Sequence, residues 1–211
     1  MRLYGFWRSI ATYRVRIALN LKGIDYEEVD INLLKGQQHE ESFGAVNPGH
    51  AVPALDIDGR VLTQSLPILE ALDALYPQVP LFPADPFERA AAVGLALDTI
   101  ADSHPLVVPR VRSRLTQQFG ADEAAVEAFC AHFLALTNTT MEARIAGRST
   151  AYAMGDAPCV ADIAIAGHLV SCGYYGVDTT AWPHLHELGE RLQQIDAFAR
   201  SHPFERRKLS A

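Results

Sequence analysis

Hydrophobic and polar positions change rhythm near residue 80. The opening MRLYGFW is a short apolar run with aromatics, which predicts a strand. In TYRVRIALNLKG, Val15, Ala18 and Leu19 fall at helical spacing, and Gly23 supplies a stop. YEEVDINL alternates like a second strand. AVPALDIDGRVLTQS reads as a hairpin, two apolar strands turning at Asp58-Gly59, where glycine accepts a positive φ. SLPILEALDALYP closes the region as a helix, with Ser65 as its expected cap and Pro67 tolerated in the first turn. PQVPLFPADP, residues 77–86, then places four prolines in ten residues, a pattern for a fixed, extended connection. Beyond it the strand rhythm stops, and apolar residues recur at helical spacing over 87–113, 122–147, 160–172 and 185–200. The pattern predicts a small α/β domain over residues 1–80 and an all-helical domain over 86–211.

Composition narrows the classes. With 211 residues, 49% of them hydrophobic, the chain can bury a sizeable core. A formal charge of -7 with scattered basic residues argues against a nucleic-acid surface. No apolar run approaches the roughly eighteen residues of a membrane span, and the start of the chain does not read as a leader peptide. Cys130, Cys159 and Cys172 lie far apart without paired spacing, which points to a reducing compartment and to neither a disulfide framework nor a metal site. The expectation is a cytoplasmic protein without a metal and with no membrane or nucleic-acid partner.

Three places carry candidate chemistry. Ser9, at the head of the first helix, is either a helix cap or a hydroxyl presented to a ligand; no base stands near it in sequence to make it a nucleophile. Pro53 stands at a strand start, which means either an edge strand beginning at Ala54 or a cis Val52-Pro53 bond that turns the Val52 backbone toward an extended ligand. Gln64-Ser65 opens a helix, where unpaired N–H groups attract a carboxylate; the alternative is an ordinary serine cap.

Taken together, FWRSIATYRVRIALNLKG, NPGHAVPALDIDG and QSLPILEALDALYP resemble the zeta class of glutathione transferases, which includes maleylacetoacetate and maleylpyruvate isomerases. LFPAD, FGADEAAVEAFC, MGDAPCVADI and GVDTTAWPHL follow in family order, so the resemblance covers nearly the whole chain. It implies a thioredoxin-like, glutathione-binding N-terminal domain and an all-α C-terminal domain, in a homodimer. By the same resemblance Ser9 favours the glutathione thiolate, Val52 before cis-Pro53 pairs with the cysteinyl part, and Gln64 and Ser65 grip the γ-glutamyl end. Gln38 and His50 fall toward the glycyl end. His104 matches a glycyl-carboxylate contact of the bacterial branch, against the plainer reading of a surface or core histidine. Asp102 precedes it and is a candidate to reach the neighbouring subunit's glutathione.

Departures from the family bear on the second substrate. Both polar positions after Ser9 are lost, to Ile10 and Ala11. Val107-Val108-Pro109 stands where the bacterial branch carries Asn-Asn-Arg, with Arg110 just beyond, and Tyr174 replaces the family's arginine. A desolvated carboxylate pairs best with arginine, so tyrosine keeps a hydrogen bond and loses a charge. Arg8, beside Ser9, is the candidate to hold a substrate carboxylate, with Val107, Val108, Arg110 and Tyr174 as further candidates for the second-substrate site. Three functions remain open: a glutathione-dependent cis-trans isomerase, a glutathione transferase or dehalogenase acting on small electrophiles such as α-halo acids, and a non-catalytic binding protein.

Overall fold

The computed structural model of the chain describes residues 1–209, which divide into two compact units. One comprises Met1–Phe82 with the segment from Gln193 onward; the other is Pro83–Leu192.

The first unit opens with β1 (Arg2–Gly5), α1 (Ile10–Leu21) and β2 (Glu27–Asp30). Two 3-10 turns (Leu33–Lys35 and Gln37–His39) and α2 (Glu41–Val46) follow, then β3 (Ala54–Ile57), β4 (Arg60–Thr63) and α3 (Ser65–Leu75). The strands form one mixed sheet in the order β2-β1-β3-β4, with β1 and β2 parallel and the other two pairs antiparallel. The β3–β4 hairpin turns at Asp58 and Gly59, both at positive φ (52° and 82°), the conformation the Asp-Gly pair predicts. Gly5 has a packing role: a Cβ there would lie 2.5 Å from Thr12 Cγ2, so its bareness lets α1 approach the sheet.

Helix α1 is enclosed on every side. Residues 12–19 are all buried, Arg14 and Arg16 included. Arg16 is paired with Glu28, Nε to Oε1 at 2.9 Å, and its Nη1 donates to the Trp7 carbonyl. The Lys22 ammonium fixes the far end of α1 by donating to Asp73 and to the Tyr76 and Val79 carbonyls.

The second unit holds α4 (Pro86–Leu97), a six-residue π-helical segment (Asp98–Ser103), α5 (His104–Val107), α6 (Pro109–Phe119), α7 (Glu123–Ile145), α8 (Val160–Tyr174) and α9 (Pro183–Gln193). The continuous helix expected over 87–113 is thus interrupted. Val108 precedes Pro109 and takes an extended conformation (ψ 154°), because the proline ring disfavours the α region for the residue before it. The cap of α8 is fuller than its cysteine suggests: Asp162 Oδ2 accepts the Cys159 N–H at 2.9 Å, and the Cys159 sulfur accepts the Asp162 N–H. Asp162 Oδ1 also accepts the Ala153 N–H at 2.9 Å, so one buried carboxylate ties the preceding loop to the helix start.

The chain then returns to the first unit through α10 (Asp196–Ala199) and α11 (Pro203–Leu209). This segment covers α1: Tyr13 Oη donates to the Phe198 carbonyl, Asn20 Nδ2 to Ser201 Oγ, and Arg206 Nη2 to Glu28 Oε2. Among the described residues, no single helix is long and apolar enough to cross a membrane.

Candidate active site

Strand register assembles the N-terminal candidates. Tyr4 pairs with Ala54, and Ala54 with Thr63, so the end of β1, the start of β3 and the end of β4 lie side by side. Because β2 runs parallel to β1, its last residue, Asp30, joins the same end of the sheet. Ser9 follows β1, Val52-Pro53 precedes β3, Gln64-Ser65 follows β4, and Gln38 and His50 lie on the connection between β2 and β3. Ser9 therefore meets, at one sheet end, the two segments that flank the β3–β4 hairpin. The hairpin turn lies at the other.

Ser9 caps α1. Its Oγ accepts the Thr12 N–H at 3.2 Å, while its own N–H donates to the Phe6 carbonyl. Capping uses the oxygen as an acceptor and leaves the hydroxyl proton to be donated, so the two readings of Ser9 are compatible. Arg8, immediately before it, is exposed.

The Val52-Pro53 bond is cis. Val52 lies two residues ahead of Ala54, where β3 pairing begins, and outside the ladder. Among the described residues, the backbone bonds of loops and turns do not involve it either. Its amide groups are thus presented at the sheet end.

Gln64 is the residue that precedes α3, held at φ 68° and ψ 130°, and its carbonyl accepts the Ile68 N–H. Ser65 is consequently the first helical residue and makes no capping bond, contrary to the cap expected of it. Its hydroxyl is engaged elsewhere: Ser65 Oγ accepts from Arg14 Nε at 3.0 Å, with both side chains buried. Arg14 left no such signal in the sequence, beyond being a charge inside the run TYRVRIAL. At the head of α3 the N–H groups of Ser65 and Leu66 have no intrahelical acceptor, Pro67 has no N–H to offer, and the two orphan donors suit a carboxylate.

His50 and Gln38 are brought together: His50 Nδ1 meets the Gln38 carbonyl at 2.7 Å, which assigns the proton to Nδ1. The imidazole lies 5.4 Å from that of His39, and a Cβ at Gly44 would come within 3.2 Å of His50 Cε1. Gln38 Oε1 is buried without a partner.

In the second unit, Asp102 is exposed and lies in the π-helical segment, and half-buried His104 follows at the start of α5. π-Helical turns inside helices recur at functional positions. Burial pushes Asp98 up, against the opposing pull of Arg144, and the charge of Asp102 adds to the rise. Arg144 Nε lies 3.1 Å from Asp98 Oδ2, an ion pair without hydrogen-bond geometry. Val107 is 5% exposed and packs with Val126, Cys130, Leu134 and Cys172, while its carbonyl accepts from Tyr175 Oη at 2.9 Å. Val108 is half-buried at the helix break, Arg110 is exposed on α6, and half-buried Tyr174 is the last residue of α8.

The chain's own thiols are poor nucleophiles. All three cysteines are free and buried; burial pushes Cys159 and Cys172 up to about 12 and raises Cys130 as well. Among the described residues, no group of three His, Cys, Asp or Glu side chains is placed to hold a metal ion. The geometry provides hydrogen-bond donors and an anion-attracting helix end, and a reactive sulfur would have to arrive with a ligand.

Comparison with known proteins agrees with this picture. The family described as glutathione S-transferase, N-terminal domain, matches residues 3–80. A maleylpyruvate isomerase from Ralstonia sp is 38% identical over 96% of this chain and 97% of its own. The holo structure of maleyl pyruvate isomerase, a bacterial zeta-class glutathione S-transferase, superposes with a TM-score of 0.95 at 38% identity, covering 97% of this chain and 98% of that one. The chain belongs to the zeta class of glutathione transferases. A maleylacetoacetate isomerase of Methylobacterium extorquens, solved with bound malonate and GSH, is 43% identical with a TM-score of 0.94 over 97% of each chain. At the sheet end where Ser9, Val52 and Gln64-Ser65 meet, Arg14 adds a buried charge, bonded to Ser65 Oγ.

Proposed function

We propose that the protein is a glutathione-dependent cis-trans isomerase of the maleylacetoacetate and maleylpyruvate type. The single observation that carries this reading is the register that places Ser9, Val52 and Gln64-Ser65 at one end of three adjacent strands. From β1 to β4 is two strand spacings of about 4.8 Å. The γ-glutamyl-cysteinyl part of glutathione, two residues lengthened by the methylenes of the γ-link, reaches the same ~10 Å. Across that span the chain offers a hydroxyl donor, an unpaired amide backbone and a helix N-terminus, which match in order a thiol, a cysteinyl amide and a γ-glutamyl carboxylate.

Each group has a defined task. The Ser9 hydroxyl donates toward the sulfur and favours its charged form. Val52 holds the cysteinyl backbone, fixing the sulfur over the head of α1. The α3 N-terminus and Ser65 receive the α-carboxylate, and Gln38 and His50 are assigned to the remaining glutathione contacts within the first unit. When bound, glutathione supplies the thiolate, whose reversible addition to a conjugated cis double bond permits rotation. Arg8 is assigned to orient a substrate carboxylate. We further assign the protein to the cytoplasm as a homodimer; its buried, free thiols suit a reducing compartment.

A second reading is conjugation or dehalogenation of small electrophiles. Tyr174, standing at the class's arginine position, favours it by removing a charge that a dicarboxylate would use. Incubating the protein with maleylpyruvate or maleylacetoacetate and substoichiometric glutathione separates the two. Many turnovers with glutathione recovered support isomerisation. Stoichiometric loss of glutathione to an adduct, or no isomerisation of either substrate, overturns it in favour of the second.

A further inference from the structure

Two arginines of α1 are fully buried, and they are treated differently. Arg16 meets the Glu28 carboxylate and the Trp7 carbonyl. Arg14, 2% exposed, donates through Nε to Ser65 Oγ, and its Nη1 is buried without a partner among the described residues. Among the described residues, no carboxylate faces it: burial alone acts on its proton affinity, holding it down to about 10, so it remains a cation at neutral pH. A buried charge without a countercharge is costly, and a fold retains one most simply where a ligand supplies the opposite charge.

The position of Arg14 says which ligand. Its guanidinium donates to the side chain of the first residue of α3, an eleven-residue helix whose first N–H groups have no intrahelical partner. Since Ser65 Oγ accepts from Arg14, its hydroxyl proton is directed away from the arginine and is available to an anion at the helix end. We propose that Arg14 is a positioning residue for glutathione, a buried countercharge that acts through Ser65 and the α3 N-terminus to select the γ-glutamyl α-carboxylate. This rests on the glutathione reading above. It adds that the cation sits one layer inside the site, shielded from salt, and that the apoprotein bears its desolvation cost until the carboxylate arrives.

The test is calorimetric titration of wild type, Arg14→Gln and Arg14→Lys with glutathione and with its analogue lacking the γ-glutamyl α-carboxylate (4-aminobutyryl-cysteinylglycine), together with the melting temperature of each apoprotein. Gln keeps an amide donor for Ser65 and deletes the charge; Lys keeps the charge. The expected result is that wild type prefers glutathione at least tenfold, that Arg14→Gln loses this preference while its apoprotein melts no lower, and that Arg14→Lys recovers part of it. A preference undiminished in Arg14→Gln overturns the proposal. So does an Arg14→Gln apoprotein that melts well below wild type while both ligands weaken equally, because Arg14 would then be structural support. Wild type that binds both ligands equally well overturns this inference and leaves the function reading standing. Wild type that binds neither overturns both.

Discussion

Replacing Ser9 with alanine removes two things that can be measured separately. The first is the cap of α1, since Ser9 Oγ accepts the Thr12 N–H at 3.2 Å. Loss of a serine cap costs ~1 kcal/mol, which lowers the melting temperature by about 2–4 °C in a chain of this size. The second is the donor to the sulfur. A hydrogen bond to a charged group contributes ~1.5–3 kcal/mol, equivalent to about 1–2 pH units on the bound thiol at 1.36 kcal/mol per unit. At neutral pH the thiolate fraction, and kcat/KM with it, falls by roughly 10- to 100-fold. Following the ultraviolet absorbance of the bound thiolate against pH in wild type, Ser9→Ala and Ser9→Thr reads this directly. Threonine keeps both the cap oxygen and the donor, so its titration should stay close to wild type. If Ser9→Ala melts lower but titrates like wild type, Ser9 is only a cap and the reasoning fails.

Other perturbations follow from single contacts. Asp162→Ala leaves the buried N–H groups of Ala153 and Cys159 without their acceptor. At ~1–3 kcal/mol for each buried donor left unpaired, the urea midpoint should fall steeply; an unchanged midpoint would contradict the capping account. Arg8→Met should lower kcat/KM for a dicarboxylate at least tenfold more than for an uncharged electrophile, and equal losses would deny Arg8 a carboxylate role. Burial lowers the pKa of His202 against the opposing pull of Glu205; the imidazole packs edge-on to Tyr13 and beside Phe204. A depressed folded-state pKa means that the unfolded chain binds the proton more readily, so stability present above about pH 6.5 is lost as the pH falls below it. His202→Gln should flatten the urea midpoint between pH 7.5 and 5.5; an undiminished slope would place the titrating group elsewhere.

The parts legible in the sequence were those governed by local chemistry. Asp58-Gly59 announced the hairpin, the proline-rich stretch announced the end of the α/β pattern, and Pro53 announced a special backbone position. What the sequence hid is tertiary. Ser65 looked like a cap because serine at a helix head usually is one; only an arginine 51 residues earlier, buried beneath it, redirects its hydroxyl. Arg14 and Arg16 stand two apart in one apolar helix, and nothing local distinguishes the paired one from the unpaired one, since Glu28 comes from a neighbouring strand. The break at Val108 was readable from Pro109, but the helical spacing of the apolar residues on either side concealed it. Convergence at one sheet end required the register, which depends on pairing between β1 and β3, fifty or more residues apart.

On the proposed function, glutathione lies across the end of the sheet where β1 and β4 finish and β3 begins. Titrating the isotopically labelled protein with glutathione and following backbone amide resonances tests it most directly. The expected shifts concentrate at Ser9, Val52, Gln64 and Ser65, with little change at Asp58 and Gly59 in the hairpin turn at the opposite end. Shifts centred on the hairpin turn, or none at millimolar glutathione, would contradict it.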